Sequence, residues 1–437
     1  MREIKVGLIG FGTVGQGLAE VLLEQRDRLV KRTGMQIRLA GVADRGKTAL
    51  AGKFADLPLV QDGTKLIADP EIDIIVELIG GIEPAKTLIL QAIEAGKHVV
   101  TANKALLSQE GAEIFAAAAA KGVEVGFEAS VGGGIPLIKS LKEGLVANRI
   151  LSIMGIMNGT ANYILTRMTD EGVPFDEVLA EAQRLGFAEA DPTYDIEGID
   201  TAHKLAILMT MAYGMPVTHR EVVTEGISRI EPMDIELARE LGCRIKLLAI
   251  SRNHGSHVEA RVHPTMVPED HLLASINGAY NAIHFQGDMV GNVLLYGLGA
   301  GMVPTGSAVA ADLVDIARNI HFGCIGRVPA LSYRAEEMRP RKITPMNELF
   351  GPYYFRLSVQ DRPGVLAAVA GILSKYEISI ESVIQKGRKQ DGDGVVPLVI
   401  VTHRARESAV TAALTEIGAM ESVAAPVVKI RILEEGV

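Results

Sequence analysis

A chain of 437 residues is too long for one ordinary domain, and a hydrophobic fraction of 48% supplies apolar side chains for two or three cores. A formal net charge of -9, no tryptophan and no Lys/Arg cluster interleaved with aromatics argue against a nucleic-acid partner and leave work on small molecules. Cys243 and Cys324 are far apart and lack metal-ligand spacing, no apolar run is clean enough to span a bilayer, and "MREIKVGLIG" passes at once into a strand pattern. The expectation is a soluble cytoplasmic protein with no membrane partner.

Residues 1–133 alternate the β-branched runs "IKVGLIG", "QIRLAGVA", "IDIIVELIG", "KHVVTA" and "VEVGFEA" with helix-length segments. That alternation predicts an α/β nucleotide-binding unit, a Rossmann-type doubly wound parallel sheet with helices on both faces. The first turn reads "GFGTVGQG" and places Gly10, Gly12 and Gly15 in a GxGxxG between a strand and a helix. Such glycines allow a tight turn and let a pyrophosphate approach the free N–H groups of the helix start. At the end of the second strand, Asp44 could hold the ribose hydroxyls of NAD, and Arg45 or Lys47 could pair with the 2′-phosphate of NADP, so both cofactors remain open. "VVTANKALL" puts Asn103 and Lys104 beyond the carboxyl end of a strand, where open sheets bind ligands; an exposed loop lysine is the plain alternative. The alanine run 116–120 reads as helix filler. "FEASVGGGIP" joins Glu128 to a glycine-rich bend that can present carbonyls to a cation or N–H groups to an anion, or serve only as a crossover.

Residues 134–304 read as a second, α+β unit for substrate binding, catalysis and dimerisation. It has a Pro-started helix in "IPLIKSLKEGLVAN", a strand "ILSIMGIM", a turn "NGTANYIL" with Thr160 as helix cap, and strands near "KLLAISRN", "HVEARVHPTMV" and "AIHFQGDMV". A helix within 305–325 is expected to return to the nucleotide-binding unit, 331–350 reads as a polar linker, and 351–437 has β-α-β-β-α-β order.

The acidic stretch "EADPTYDIEGIDTAHKLAILMTMAYG" is unusual. Glu189, Asp191, Asp195, Glu197 and Asp200 precede one lysine, Lys204, and the helix predicted from Ile199 to Tyr213 is apolar round most of its circumference, so it reads as buried. Asp200 and Lys204 share one face near the first turn, where a carboxylate is favoured and a lysine gains nothing from the helix dipole. An i,i+4 ion pair alone would explain little of that arrangement, since such pairs contribute only about 0.3 to 0.5 kcal/mol. Asp191, Asp195 and Glu197 read as loop and capping residues.

"GFGTVGQG", "TANKALL", "EASVGGGIP", "NGTANYIL", the acidic stretch and "YGLGAGMVPTGSAVAADL" together resemble the successive signatures of the homoserine dehydrogenase family, in order across the first three quarters of the chain. The tail, with "VQDRPGVLAAVAGILSKYEISIESV", resembles an ACT domain. The resemblance implies NADP- or NAD-dependent interconversion of L-homoserine and L-aspartate 4-semialdehyde, a homodimer or homotetramer, and feedback by threonine through the ACT domain. It implies that Lys204 is the catalytic proton donor and acceptor with Lys104 beside it, and that Glu189 and Asp200, with Gly159 and Thr160, meet the substrate. Phe11, Thr13, Val14, Arg45, Lys104 and Gly306 join the three loop glycines as cofactor contacts. Glu128, Val131, Gly133 and Ile135 correspond to a structural sodium site built largely of carbonyls. Gly306 stands where an alanine is frequent, and "GVADR" carries no clear signature for NADP. Oxidation of an alcohol needs a base to take the hydroxyl proton, and reduction needs an acid in the same place; a buried lysine among carboxylates can be both. Without the resemblance, a non-catalytic amino-acid sensor or a dehydrogenase for another small substrate would remain open.

Overall fold

The β-branched runs near the amino terminus form parallel strands β1 (Arg2–Ile9), β2 (Met35–Ala43), β3 (Leu59–Val60), β4 (Ile74–Glu77), β5 (His98–Thr101) and β6 (Val125–Gly126). The structure is a computed structural model that describes residues 2–385 and 394–434. The spatial order is β3-β2-β1-β4-β5-β6, so the strand order reverses between β1 and β4 and opens a crevice at their carboxyl ends. Val6, Leu8, Ile74 and Val76 are wholly buried because helices cover both faces. The returning helix spans Met302–Phe322 and starts before the expected 305, with Pro304 in a first turn whose N–H groups have no helical acceptor. It crosses the helix Thr13–Glu24 closely: a Cβ on Gly306 would lie 2.5 Å from the carbonyl carbon of Gly17, and one on Gly17 would lie 2.0 Å from the Met302 oxygen.

The second sheet has 11 strands among the described residues. It runs from β7 (Ile150–Ile156), β8 (Val223–Thr224), β9 (Cys243–Asn253), β10 (His257–Pro268), β11 (Tyr280–Gly287), β12 (Gly291–Leu298) and β13 (Lys342–Ile343) into the terminal unit. That unit contributes β15 (Tyr353–Gln360), β16 (Ile380–Gln385), β17 (Val395–Thr402) and β19 (Val428–Ile432) to this sheet, while its two-residue strands β14 (Phe350–Gly351) and β18 (Ala405–Arg406) lie outside it. The path is β12-β11-β7-β9-β10-β19-β15-β17-β16, while β14 pairs only with β18. The strand β12 was not anticipated; it forms a hairpin with β11 through the Gly287–Gly291 turn. In place of one Pro-started helix, the segment after Pro136 has one α turn, Leu137–Lys139, then a wider turn closed by Leu145 N–H donating to the Ser140 carbonyl at 2.8 Å.

One edge of β10 pairs with β9 along its length; the other takes β13, β8 and β19 in succession. Residues 331–350 therefore do not hang free, because β13 adds to the sheet. The terminal sheet is likewise continuous with the central one through Thr265↔Arg431 and Met266↔Ile432. Alternation along β15 sends Tyr353, Phe355 and Leu357 into the terminal unit's own core, while Tyr354 joins the larger one. On the same face as Tyr354, Arg356 grips Asp234 of the helix Pro232–Glu240 with two bonds of 2.7 and 3.1 Å, and Tyr354 OH donates to the same carboxylate at 3.1 Å. Arg431 bonds Glu225 through both Nη atoms at 2.7 Å and also donates to Glu407. Burial raises the Glu407 pKa, but Arg431 and Lys429 outweigh it and hold the carboxyl down at about 2.

Removing one partner of a buried pair strands the other charge, which typically costs about 3 to 5 kcal/mol. Asp234→Ala is expected to destabilise the chain by that order in urea unfolding; a loss under about 1 kcal/mol would show that the buried Arg356 pair does not hold the terminal unit.

Candidate active site

The crevice between β1 and β4 is shaped by glycines with distinct duties. A Cβ on Gly10, whose φ is 98°, would lie 2.7 Å from the Leu78 carbonyl, and one on Gly15 would lie 2.3 Å from the Gly10 oxygen. Gly12 meets nothing within 4 Å, so the helix start at Thr13 and Val14 stays open above it. Phe11, Gly12, Asp44, Arg45, Leu78 and Ile79 are among the residues lining a cleft of about 370 Å³ that opens to solvent, within the range of small-molecule sites. Asp44 is tied to backbone, accepting from Phe11 N and from Gly46 N, both at 2.9 Å, while Arg45 is exposed at the rim. Wholly buried Glu77 shapes the opposite wall by accepting from Ile79 N, Gly80 N and Thr101 Oγ1. The sequence marks Glu77 only as a strand residue, because its partners lie in a turn and on a neighbouring strand. Gly306 packs against the helix Thr13–Glu24, which gives its missing side chain a packing reason.

The two lysines meet at one carboxylate. Asn103 caps the helix Lys104–Lys121 through Leu106 N and donates to the Gly81 carbonyl at 2.6 Å, which fixes Lys104 at the strand end. The helix Ile199–Tyr213 is buried nearly throughout and ends at a left-handed Gly214. Asp200, 3% exposed, accepts from Lys104 Nζ at 2.9 Å on Oδ1 and from Lys204 Nζ at 2.7 Å on Oδ2. Lys204 also donates to the Met157 carbonyl at 2.6 Å. Asn158 completes the group, its amide nitrogen donating to Asp195 at 2.7 Å and to Asp200 at 2.9 Å. Burial works against the charge on Asp200, but the two ammonium groups win and hold its pKa far below the usual carboxylate range. Burial lowers the pKa of Lys204, Asp200 opposes this and Lys104 reinforces it, with a net lowering from 10.5. In Lys104 the same burial effect is outweighed by Asp200, Asp195 and Glu189, with a net rise.

Asn158, not Thr160, caps the helix Gly159–Glu171: its extended backbone lets Oδ1 accept from Ala161 N at 2.8 Å. Thr160 Oγ1 instead donates to the Phe187 carbonyl at 2.6 Å and steadies the loop leading to Glu189, which is exposed. A Cβ on Gly159 would lie 2.8 Å from the Ala279 oxygen. Asp191 turns the chain by accepting from Thr193 N at 3.1 Å, and Glu197 accepts from Ser228. Asp195, expected to be a loop residue, belongs to the site through Asn158. Behind the lysines, His203 Nδ1 is hydrogen-bonded to Ser108 Oγ of the helix Lys104–Lys121, and its ring stacks 3.9 Å from that of His219. Burial pushes the His203 pKa down to about 4, so the ring stays neutral and locks the two helices that carry the lysines.

Glu128 lies at the bend before the second unit. Its carboxylate accepts from Ile138 N and Lys139 N at 2.8 and 2.9 Å, and its own N–H donates to Asp312 at 2.8 Å. Gly132 and Gly133 turn the chain with φ of 74° and 55°, and buried Val131 and Ile135 flank them. Burial raises both carboxyls, Asp312 to about 7, and Glu128 adds to the rise of Asp312, so the corner gathers carboxyl and carbonyl oxygens whose negative charge is unfavourable without a counter-charge. Hard oxygen donors of this kind suit a small hard cation. The Ile135 carbonyl already accepts from Leu137 N at 2.8 Å. Among the described residues no cluster of three or more His, Cys, Asp or Glu side chains gathers to hold a metal, and no helix is long and apolar enough to cross a membrane.

Because Asp200 raises the Lys204 pKa and Lys104 lowers it, the two substitutions should act in opposite directions. In an NMR titration of the Lys204 Nζ resonance, Asp200→Asn is expected to lower the pKa further below 10.5 and Lys104→Ala to raise it. Shifts of the same sign would mean that the carboxylate and the two ammonium groups do not act on one another as their contacts indicate.

Residues 10–128 match the NAD binding domain of homoserine dehydrogenase, 136–314 match homoserine dehydrogenase and 353–419 match the ACT domain. A homoserine dehydrogenase of Pseudomonas aeruginosa is 48% identical over 432 residues, with 99% of each chain covered. The crystal structure of a homoserine dehydrogenase from Thiobacillus denitrificans superposes with a TM-score of 0.92 at 49% identity, covering 100% of this chain and 99% of that one. A hyperthermophilic archaeal homoserine dehydrogenase in complex with NADPH has a TM-score of 0.62 at 26% identity, covering 72% of this chain and 98% of its own. With the nucleotide crevice, the lysine-flanked aspartate and the terminal βαββαβ unit all inside these matches, the chain belongs to the homoserine dehydrogenase family of oxidoreductases and carries a C-terminal ACT domain.

Proposed function

We propose that the chain interconverts L-homoserine and L-aspartate 4-semialdehyde with Lys204 as the group that takes and returns the hydroxyl proton. The observation that carries this is the shared aspartate: Lys204 is buried with a lowered pKa, yet it keeps an anionic partner at 2.7 Å. A lysine so poised can give up its proton without being unable to regain it. Bound NADP or NAD would supply the hydride acceptor or donor, its pyrophosphate over Gly10, Gly12 and Gly15 at the helix start. Phe11, Thr13, Val14, Lys104 and Gly306 are assigned to its surroundings. The exposed Arg45 at the rim, beside an Asp44 already held by backbone, favours NADP.

Asp200 has both oxygens bonded to lysines, so we assign it to positioning Lys104 and Lys204. The substrate ammonium falls to Glu189, helped by Asp195, with Gly159 and Thr160 shaping the same wall. Residues 1–133 and the returning helix would hold the nucleotide and 134–304 the substrate. The edge strand β12, with Tyr296 54% and Leu298 45% exposed, supports pairing of two copies into a homodimer or homotetramer. Glu128 and the carbonyls of Val131, Gly133 and Ile135 would hold sodium, which would neutralise the corner shared with Asp312. If so, replacing sodium by a bulky organic cation lowers the melting temperature of the wild type and has little effect on Glu128→Gln; equal effects on both count against it. The ACT domain is assigned to feedback by threonine, with a cytoplasmic location.

One kinetic series tests the assignments. Lys204→Ala should lose about 100- to 10,000-fold in kcat with nucleotide binding unchanged, and retention of more than about a tenth of kcat would move the proton to another group. In the same series Glu189→Gln should raise the KM for homoserine by about 10- to 100-fold, the worth of one charge-assisted bond, with a smaller effect on kcat. Arg45→Ala should raise the KM for NADP and leave that for NAD unchanged; equal changes would remove the preference.

A further inference from the structure

Near the start of β9 the fold buries a third lysine. Lys246 is 3% exposed, and its Nζ donates to the Ile276 carbonyl at 2.5 Å, to Asn277 Oδ1 at 3.1 Å and, over a longer 3.4 Å, to Asn162 Oδ1. All three acceptors are uncharged. Burial, reinforced by Arg244 and opposed by Asp170, pushes the Lys246 pKa down to about 8, and Asp170 itself pairs with Arg244 at 3.7 Å. A cation held out of water by neutral groups alone is costly, and a methionine of similar length would fill the space without that cost. Packing therefore does not call for a lysine here.

The bonds around it do. Asn162, 1% exposed, directs its Nδ2 at three carbonyls of the loop 276–280: Ile276 at 3.2 Å, Gly278 at 2.9 Å and Tyr280 at 3.1 Å. An amide nitrogen has two hydrogens for those three acceptors. Ile276 is the farthest of them, and it is the one that Lys246 takes at 2.5 Å. The ammonium group, which can only donate, also faces Asn162 Oδ1 and so keeps Nδ2 turned toward the loop. One turn further along the helix Gly159–Glu171, Thr166 Oγ1 accepts from Gly278 N at 3.0 Å and completes the staple.

The stapled loop bears on the active site at two points. Its Ala279 oxygen lies so close to the helix start that a Cβ on Gly159 would be 2.8 Å from it. Beyond Tyr280 the chain enters β11, where Ala282 is opposite Ile156, the residue before the Met157 carbonyl that Lys204 bonds. We propose that Lys246 is a positioning residue for the substrate wall: by completing the donors that hold the loop on Asn162, it fixes where the helix start presents Gly159 and Thr160 to homoserine. This rests on the assignment of those two residues to the substrate given above. Lys204 keeps its own hold on Asp200 from one helical turn away, and the nucleotide crevice is built from other segments, so the effect falls on substrate affinity.

The test is steady-state kinetics of the full-length enzyme with Lys246→Met, which keeps the length and loses the donors, and Thr166→Val, which frees Gly278 and leaves Lys246 in place; Lys246→Gln stands in if the methionine variant fails to fold. Lys246→Met is expected to raise the KM for homoserine about 10-fold, with kcat changed less than about 3-fold and the KM for the nucleotide unchanged. Thr166→Val should move the same KM in the same direction by about 3-fold, and hydrogen exchange at the Gly278 amide should quicken in Lys246→Met. If Lys246→Met lowers the melting temperature but leaves the KM for homoserine within about 2-fold, or raises both KM values alike, the lysine serves only the stability of the fold and the proposal is overturned. With that result, a raised KM for homoserine in Glu189→Gln leaves the substrate assignment standing, and an unchanged one removes that assignment as well.

Discussion

One buried carboxylate joined to two lysines is the constraint round which the rest is arranged. Lys104 belongs to a helix of the nucleotide-binding sheet, while Asp200 and Lys204 belong to the inner helix of the second unit, so the cluster spans the boundary between them. A charge taken out of water must be paired or it is costly. Here one anion serves two cations, and the difference between the cations follows from burial: the half-exposed Lys104 is raised and the buried Lys204 is lowered. The surrounding bonds keep that division in place. Asn103 sets one helix start, Asn158 sets another while bridging two aspartates, and the His203–Ser108 bond pins the helices side by side.

The nucleotide-binding sheet obeys a different constraint, close approach of backbone to backbone. Gly10 lies against Leu78, Gly15 against Gly10, and Gly17 and Gly306 against one another's helices, while Gly12 alone faces open space. Four of these positions are glycine because the fold leaves no room, and the fifth is where a ligand can reach the helix start. A glycine motif thus contains packing and binding positions that its spacing does not separate.

Attachment of the ACT domain is a property of β10. Its second edge is taken in turn by β13, β8 and β19, so the connecting segment and the final strand are built into the central sheet. The Arg356–Asp234 and Arg431–Glu225 pairs then bury charge at the same junction. A unit held by a shared ladder and buried ion pairs moves with its neighbour, which suits transmission of a binding event and not free reorientation on a tether.

Short-range patterns settled much of this in the sequence alone. The βαβ alternation, the glycine turn after β1, the buried helix from Ile199 to Tyr213 with its Gly214 stop, and the βαββαβ tail depend on periodicity and on local backbone chemistry, which neighbouring residues carry. The pairing of Asp200 with Lys204 was legible for the same reason, being one turn of helix apart. What required the fold was every relation between distant segments. Asp200 turned out to serve Lys104 as well, Asp195 to belong to the site through Asn158, Thr160 to brace a loop and not to cap a helix, and a polar stretch to be a sheet strand. Those facts depend on which groups long-range packing brings within about 3 Å, and hydrogen bonds at that range are decided by the tertiary arrangement and not by spacing along the chain.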